Sequence, residues 1–288
     1  MTLNPTELVW LVVLGIASGT LGAMAGIGGG VIIVPILVTL FGFDFATAVA
    51  ASLAAVVANS TSAGGAFVGG GLTNMRLATT LEVGTALGGI SGGFLGVLLA
   101  ERVLSGVFAA LMAATSILVA RGSEHDPRLD RGQRIGVPDQ ETGGGRLDAR
   151  YRDPDTGLKV TYHVDRVPLG FGVSYGAGIT SGLVGVGGGF VTVPAMNGLM
   201  GVPLKVAAAT SNLMIGVTAV ASLLVYLARG EVHPAIVTPL VLGSMVGALI
   251  GSTLQPRVPS ARVRTLLTVI LVLVAAQMAL KALGADFG

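Results

Sequence analysis

Apolar segments long enough to cross a lipid bilayer follow one another along most of this 288-residue chain. A helix needs about 20 apolar residues to span the roughly 30 Å hydrocarbon core. Only 11% of the residues are charged, and the mean hydropathy is +0.82, far above the usual value for a soluble protein. Apolar segments of this length are candidate transmembrane helices. The sequence therefore predicts an all-α, polytopic membrane protein.

The apolar segments form two sets of five, separated by a polar stretch at residues 121–166. The first set covers residues 8–25, 31–41, 46–68, 77–100 and 103–120, and the second covers 167–186, 190–200, 206–228, 235–254 and 263–283. The second segment of each set is short. The polar stretch holds nine of the 17 Lys and Arg residues, so it lies outside the bilayer. We therefore expect a first transmembrane repeat at 1–120, a cytoplasmic loop at 121–166 and a second transmembrane repeat at 167–288.

Part of the polar loop has the pattern of a β-hairpin. Residues 147–164 alternate apolar and polar side chains around Pro154-Asp155-Thr156-Gly157, and alternation on both sides of a turn sequence is typical of paired strands. The sequence therefore predicts a small hairpin on the membrane surface, without indicating its role.

The two halves of the chain repeat each other. The stretch Gly26-Ile27-Gly28-Gly29-Gly30, followed by Val34-Pro35, recurs as Gly185-Val186-Gly187-Gly188-Gly189, followed by Val193-Pro194. The offset of 159 residues, from Gly26 to Gly185, also pairs further residues without a gap: Gly42 with Gly201, Ser52 with Ser211, Gly71 with Gly230, Gly84 with Gly243, Gly88 with Gly247 and Gly92 with Gly251. A repeat of this length indicates duplicated halves. If each half crosses the membrane five times, an odd number, the halves have opposite orientations.

The distribution of basic residues predicts which side of the membrane each loop occupies. Lys and Arg in short loops collect on the cytoplasmic side. With the central loop inside, this bias also places Arg76, Lys205, Arg257, Arg262 and Arg264 inside, and it leaves Arg102, Arg229 and Lys281 outside with both termini. An alternative treats the short segments as re-entrant, which leaves eight crossings, four in each half, and abolishes the inversion.

Each glycine stretch lies where a long apolar segment ends and a short one begins. Glycine lets the backbone leave the helical conformation, and the break exposes N–H groups. A helix N-terminus carries roughly half a positive charge, and paired interrupted helices mark the substrate site of many transporters. Two such ends near the middle of the bilayer would attract an oxyanion. The alternative is that the glycines only permit close packing of helices.

Polar residues follow each glycine stretch within an apolar segment. Hydroxyl and amide groups can replace the hydration of an oxyanion without adding charge, although for any single serine a bond between helices is the commoner role. The residues are Ser52, Asn59, Ser60, Thr61 and Ser62 in the first half, and Thr210, Ser211 and Asn212 in the second. The predicted substrate-binding residues are Gly28, Gly29, Gly30, Ser52, Asn59, Ser60, Gly187, Gly188, Gly189, Thr210, Ser211 and Asn212.

Glu82 is the one acidic residue well inside an apolar segment. An intramembrane carboxylate is a candidate proton carrier. Its counterpart at the 159-residue offset is the neutral Val241, and it lies near a predicted helix end, where polar side chains reach the interface. The sequence therefore favours an interfacial carboxylate over a proton carrier.

Several features argue against an enzyme. The chain has no cysteine, which excludes disulfides, thiolate metal sites and cysteine nucleophiles. Gly89-Ile90-Ser91-Gly92-Gly93 matches a serine-nucleophile motif, which needs a base within reach, but the three histidines lie in the central loop or beside a different segment. The glycine stretches lack the Lys and Ser/Thr of an ATP-binding loop. We expect no catalytic residue, metal, cofactor or nucleic-acid partner.

The repeated G-x-G-G-G-x-x-x-V-P element resembles the sulfite exporter TauE/SafE family of membrane permeases. The resemblance covers both apolar halves and includes residues 26–30 with Pro35, residues 185–189 with Pro194, and the stretches Ala51-Ser52-Leu53 and Ala209-Thr210-Ser211-Asn212. It implies transport of sulfite, a sulfonate such as sulfoacetate or a related organic anion, often as export. The loop at 121–166 is longer than a minimal member of the family requires.

Together these patterns predict a multi-pass secondary transporter of the cytoplasmic membrane, which exports a small anion such as sulfite, sulfoacetate or another organosulfonate. One repeat would rock against the other around a site between the glycine breaks. Because the chain contains no ATP-binding motif, we expect coupling to a proton or to the membrane potential. The alternatives are a passive anion channel and, less favoured, an intramembrane serine hydrolase.

Overall fold

The computed structural model describes residues 4–69, 73–121, 147, 149–152, 159–254 and 260–283. Within these residues the first half forms α1 (Pro5–Ala25), α2 (Gly30–Thr39), α3 (Phe45–Gly69), α4 (Met75–Leu98) and α5 (Glu101–Arg121). The strands β1 (Ala149–Arg152) and β2 (Lys159–Tyr162) precede α6 (Val167–Val184), α7 (Gly189–Gly198), α8 (Leu204–Ala228), α9 (Pro234–Leu254) and α10 (Ser260–Ala282). Each helix begins and ends within three residues of the apolar segment that predicted it, which confirms an all-α membrane protein.

The helices differ in whether they can span a bilayer. Six of those described, α1, α3, α4, α6, α8 and α9, are long and apolar enough to cross a membrane by length and composition. By contrast, α2 and α7 have 10 residues each, which corresponds to about 15 Å or half the hydrocarbon core. The prediction that the second segment of each half is short is confirmed.

Local sequence determines where the first and fourth helices begin. The backbone N–H of Asn4 donates to Glu7 Oε2 (2.8 Å), and Pro5 occupies the first position of α1. At α4 the backbone N–H of Leu77 donates to the side-chain oxygen of Asn74 (3.1 Å). Such caps give partners to N–H groups that have none inside the helix.

Glycines bring two pairs of helices into close contact, α1 with α9 and α4 with α6. At five of these glycines an added Cβ would collide with the backbone of the facing helix, and at Gly84 it would lie 3.1 Å from that backbone. The facing residues are Gly243 with Val12, Gly247 with Ile16 and Gly251 with Thr20 in the first pair, and Gly84 with Phe171, Gly88 with Tyr175 and Gly92 with Ile179 in the second. Residue numbers rise together in both pairs, so each pair is parallel. Each pair also combines one helix from each half of the chain.

The directions of the helices show that the two halves are inverted. α8 runs parallel to α4, because Thr218 lies beside Glu82 and Val225 lies beside Gly93. The connection at residues 229–233 is too short to cross the bilayer, so α9 is antiparallel to α8. Since α1 is parallel to α9 and α6 is parallel to α4, α1 and α6 point in opposite directions. The predicted inversion is therefore confirmed.

The second segment of each half crosses the membrane as well. α3 runs parallel to α9, because Ser244 donates to the carbonyl oxygen of Ala55 (3.0 Å) and Ala248 clusters with Ala63. α1 is parallel to α9 and hence to α3, so the chain must return across the bilayer between them. Residues 26–39, a glycine stretch followed by α2, make that return. The short second segment therefore completes a return across the bilayer, and the re-entrant segments of the eight-crossing alternative do not fit the helix directions.

The predicted hairpin in the polar loop is confirmed. β1 and β2 pair antiparallel, with Ala149 opposite Tyr162, and the turn sequence at 154–157 lies outside the described residues, as does most of the remaining loop. The Nδ2 of Asn74 donates to Leu147 O and to the Tyr162 hydroxyl, both at 3.0 Å. These bonds attach the hairpin to the end of the bundle where α4 begins.

The buried face of the hairpin packs on the ends of α4, α7 and α8. One apolar cluster contains Tyr151, Val160 and Tyr162 from the hairpin together with Leu77 and Leu81, Met196, and Val206 and Met214 from these helices, and Met200, which follows α7. Because this cluster extends from the hairpin to the middle of α8, the hairpin covers this end of the bundle.

Charged residues lie at both ends of the bundle. From the helix directions, Arg76 lies at the hairpin end, and Arg102, Arg229 and Lys281 lie at the opposite end. Lys281 Nζ forms an ion pair there with Glu101 Oε1 at 2.9 Å. Arg76 therefore lies at the opposite end of the bundle from the other three basic residues, as the positive-inside rule predicted.

Candidate functional site

Glycines with positive φ angles interrupt both halves at the predicted breaks. α1 ends before Gly26, and α2 begins at Gly30; α6 ends before Gly185, and α7 begins at Gly189. Between them Gly28 and Gly187 have φ angles of +84° and +87°, a backbone conformation that residues with a Cβ rarely adopt. The predicted breaks are therefore confirmed, and their glycines are required by the backbone.

The two glycine stretches lie against each other at the centre of the bundle. Gly30 lies against the carbonyl oxygen of Gly185, and Gly189 lies against that of Gly26. Gly28 and Gly187 both contact Val56 on α3 and Ile215 on α8, which are related by the 159-residue offset. The stretches therefore run antiparallel to each other, halfway along the two helices. This is the convergence that the sequence predicted.

Backbone donors collect at this centre. In the described part of the chain, no acceptor is assigned to the N–H groups of Gly28, Gly29 and Gly30, or to those of Gly187, Gly188 and Gly189. All six residues are buried. α2 and α7 also begin here, so the positive ends of both helices face the same region, and neither helix carries a charged residue. Such an arrangement favours an anion.

Several predicted binding side chains instead join the helices to one another. Ser52 Oγ donates to Gly185 O (2.8 Å), Ser60 Oγ donates to Asn212 O, and the backbone N–H of Asn74 donates to Thr210 Oγ1 (3.1 Å). Ser211 Oγ shares a hydrogen bond with Thr192 Oγ1 (2.7 Å). Outside the predicted set, Thr61 and Ser62 donate to carbonyl groups of their own helix. The hydroxyl groups of Ser52, Ser60, Thr210 and Ser211 therefore join α3 and α8 to each other, to the second glycine stretch, to α7 and to the start of α4.

Two predicted side chains, Asn59 and Asn212, keep amide atoms without a partner. Both residues are 1% exposed, and among the described residues Asn59 Nδ2 and Oδ1 and Asn212 Nδ2 have no hydrogen bond. A Cβ on Gly29, the residue that precedes α2, would lie 3.6 Å from Asn59 Nδ2. The Asn59 amide therefore lies at the N-terminus of α2, where it could hold an oxyanion without adding charge.

The sequence analysis missed Ser181, which occupies the related position at α7. Its hydroxyl is fully buried and has no hydrogen-bond partner in the described part of the chain. A Cβ on Gly188, the residue that precedes α7, would lie 3.5 Å from Ser181 Cβ. Ser181 corresponds to Gly22 at the 159-residue offset, and Gly22 contacts Asn59 Nδ2. Extending the 159-residue pairing to residues before the glycine stretches would have identified Ser181 as a candidate.

The centre is closely packed, and a pocket reaches it from the side. A Cβ at Gly30 or Gly189 would collide with backbone of the other stretch, so binding an anion between them requires the stretches to separate. An apolar pocket between α1, α2 and α10 extends to Gly22 and Gly29; its other lining residues are Leu21, Ile27, Val31, Ile32, Ile270 and Leu271.

Glu82 does not lie at a helix end, and the interfacial expectation is wrong. It is half-buried in the interior of α4, and its Oε1 accepts hydrogen bonds from Thr218 Oγ1 (3.0 Å) and Thr85 Oγ1 (3.2 Å). Thr218 is 1% exposed and corresponds to Asn59 at the 159-residue offset. The sequence could not anticipate this bond, because it depends on the packing of α4 against α8 from the other half.

Among the described residues, Ser91 of the serine-nucleophile motif has no histidine or carboxylate as a hydrogen-bond partner. Ser91 Oγ donates to Leu87 O (2.9 Å) and shares a hydrogen bond with the Tyr175 hydroxyl (3.2 Å). His233 lies in the connection before α9, where its Nδ1 contacts Glu231 O. No group of three His, Asp or Glu side chains that could hold a metal occurs within the described ranges.

Comparison with known proteins points to one family. The family described as Sulfite exporter TauE/SafE matches residues 11–278. The chain is 26% identical to "Probable membrane transporter protein YunE" of Bacillus subtilis (strain 168) over 280 residues, which cover 94% of this chain and 96% of that protein. It is 24% identical to a "Probable membrane transporter protein" of Xylella fastidiosa (strain Temecula1) over 249 residues, which cover 86% and 84%. No solved structure gives a significant match.

The family match includes both glycine stretches and the helices that hold them. The relatives align over most of their own lengths and are named as transporters. Together with the apolar helices, this makes the protein a multi-pass membrane transporter and not an enzyme. Because the family match covers most of its length, the chain belongs to the sulfite exporter TauE/SafE family.

Proposed function

We propose that the protein is a secondary transporter that exports a small anion, such as sulfite, sulfoacetate or another organosulfonate, across the cytoplasmic membrane. The observation that carries this proposal is the meeting of two glycine breaks at the centre of an inverted repeat, where the N–H groups of the breaks have no acceptor within the described ranges. Uncharged donors suit an anion that must be released again, because a buried cation would hold it too tightly.

The substrate would bind where the breaks meet. We assign its oxygens to the N–H groups at the starts of α2 and α7, to the Asn59 and Asn212 amides and to the Ser181 hydroxyl. These side chains are buried and have atoms without a partner among the described residues. Of the predicted set, Ser52, Ser60, Thr210 and Ser211 would hold the helices around the site, since their hydroxyl groups are already bonded.

Alternating access would require the bundle to divide along a different line from the sequence repeats. Rocking 1–120 against 167–288 would break the glycine contacts between α1 and α9 and between α4 and α6. Two mixed groups preserve these contacts: α1, α3 and α9 in one, and α4, α6 and α8 in the other. They meet mainly where α3 contacts α8, which is also where the breaks lie. Movement of one group against the other would separate Gly30 from Gly185 and admit the anion.

Transport would be coupled to a proton or to the membrane potential. The polar loop at 121–166 would face the cytoplasm, with the hairpin covering the cytoplasmic end of the bundle. The breaks and the inverted halves are compatible with both a carrier and a passive anion channel, which differ in whether transport saturates and exchanges substrate.

The test is transport of radiolabelled sulfite, sulfoacetate, sulfate and thiosulfate by the purified full-length protein in proteoliposomes. A carrier gives counterflow, in which substrate trapped inside accelerates entry of label, whereas a channel does not. Absence of flux for all four anions would contradict the proposal.

Matched variants connect this flux to the site. Asn59→Leu removes an amide that would bond to a charged ligand, an interaction of about 1.5–3 kcal/mol, so the half-saturating concentration should rise about tenfold or more. Ser62→Ala is the control on the same helix, because the Ser62 hydroxyl donates to Ala58 O of α3 itself (2.8 Å). Equal effects of the two variants would exclude Asn59 from the site.

A further inference from the structure

We propose that Glu82 is the proton-binding residue of the transport cycle, and that the hydroxyl groups of Thr218 and Thr85 hold its carboxyl group in place. The proposal rests on the proposed anion transport and adds the residue that couples it to protons. Its basis is the position of Glu82 in the bundle, the hydrogen bonds of its carboxyl group and the route from those bonds to the glycine break.

Glu82 lies inside the membrane-spanning part of α4. The helix runs from Met75 to Leu98, so Glu82 lies about 7 Å from its midpoint along the axis at 1.5 Å per residue. An unpaired charge at such a depth is costly. A carboxyl group can remove that cost by binding a proton, which makes it suited to carry one.

In the described part of the chain, only one of the two carboxyl oxygens of Glu82 accepts hydrogen bonds. Thr218 and Thr85 both donate to Oε1, and in the described part of the chain Oε2 has no hydrogen bond. Glu82 is only half-buried, so it is not sealed from its surroundings. Oε2 is therefore the oxygen that would take up the proton, while the two hydroxyl groups fix the orientation of the carboxyl group.

Within the described residues, no basic side chain forms an ion pair with Glu82. α6, α8 and the hairpin pack against α4, and Tyr175 and Tyr226 on these helices bond to Ser91 and Gly182 instead. The other ionisable groups of these elements and of α4 are Asp165, Arg166, Lys205, Arg229, Arg150, Tyr151, Arg152, Lys159, Tyr162, His163 and Arg76, which belong to the ends of the helices or to the hairpin. The described parts of these elements thus place no positive side chain against the carboxyl group, and a proton can neutralise its charge.

Thr218 connects Glu82 to the glycine break. It lies on α8 three residues after Ile215, whose side chain contacts Gly187 and Gly189. Loss or gain of a proton on Glu82 would change the strength of its bond with Thr218 and hence the position of α8 beside the break. The counterpart of Glu82 in the second half is Val241, so the repeat does not supply a second carboxyl group at the related position.

The experiment compares two assays of the full-length protein in proteoliposomes with radiolabelled sulfite. Counterflow at equal pH on both sides measures exchange, and uptake with and without a pH gradient measures coupling. In Glu82→Gln, which cannot bind a proton but can accept both hydrogen bonds, counterflow should persist while stimulation by the pH gradient is lost. Glu101→Gln is the control, because this exposed carboxylate lies at the end of the bundle and pairs with Lys281; its stimulation should be retained.

Each outcome decides the proposal. Stimulation that persists in Glu82→Gln, or wild-type counterflow without any effect of a pH gradient, would overturn the role of Glu82. If Glu82→Gln loses both activities, Glu82→Asp decides: recovery of gradient-stimulated uptake supports a proton site, and no recovery contradicts it. Absence of wild-type counterflow would contradict the proposed carrier function itself, which distinguishes the two failures.

Discussion

Replacement of Gly187 by alanine tests whether the glycine break is packed as the structure places it. Gly187 has a φ of +87°, where an L-residue costs about 1–2 kcal/mol. Its Cβ would also lie 2.7 Å from Ile215 Cγ2 and 3.1 Å from Val56 Cγ1. Ile215 is 1% exposed and has little room to move, so overpacking should add about 1–3 kcal/mol.

Gly42 provides the matched control for the backbone cost. It also has a positive φ, +66°, but a Cβ added there has nothing within 4 Å. Gly42→Ala should therefore show only the backbone cost, and the difference between the two variants should be the packing cost of about 1–3 kcal/mol. Ile215→Ala removes the methyl group that the new Cβ meets, so the double variant with Gly187→Ala should be less destabilised than the two single effects added.

Equilibrium unfolding in mixed micelles of a mild detergent and sodium dodecyl sulfate, followed by far-ultraviolet circular dichroism, measures these free energies. Equal losses of stability for Gly187→Ala and Gly42→Ala would refute the contact between the break and Ile215. Full additivity of the double variant would show that the two positions do not touch.

Three further predictions concern other parts of the bundle. Gly88→Ala should destabilise the protein by about 1–3 kcal/mol in the same unfolding assay, because its Cβ would collide with the backbone of α6, whereas Gly176→Ala, with open space around it, should leave stability unchanged or raise it. Tyr162→Phe should weaken attachment of the hairpin by about 1 kcal/mol, since it removes the acceptor for Asn74, and limited proteolysis should cut the hairpin faster; an unchanged cleavage rate would contradict the contact. Ser91→Ala should leave sulfite counterflow intact; loss of counterflow in this variant would instead support the hydrolase alternative.

The sequence was sufficient to predict the helices because lipid requires long apolar segments, and the bounds of α1 to α10 follow from where those segments end. The breaks were also predictable, since Gly28 and Gly187 need a conformation that only glycine adopts readily. The hairpin was predictable from its alternation. These features depend on local chemistry, which a single sequence contains.

The roles of individual polar residues could not be predicted in the same way. Asn59 and Ser60 are neighbours on α3, yet the Ser60 hydroxyl bonds to α8 while the Asn59 amide has no partner among the described residues. The bond from Thr218 to Glu82 depends on α8 from one half lying along α4 from the other. Such contacts follow from the three-dimensional arrangement of the halves, and no local pattern encodes them.

The exchange of helices between the halves has a consequence for how the protein is made. When α1 enters the membrane, the helix that covers its glycine face, α9, lies more than 200 residues later in the chain. During synthesis the glycine face of α1 therefore stays exposed to lipid or to the insertion machinery until α9 has been made. Contacts between residues so distant along the chain also make assembly slow. Two separately expressed halves should each remain incomplete, and they should assemble only when both are present in the same membrane.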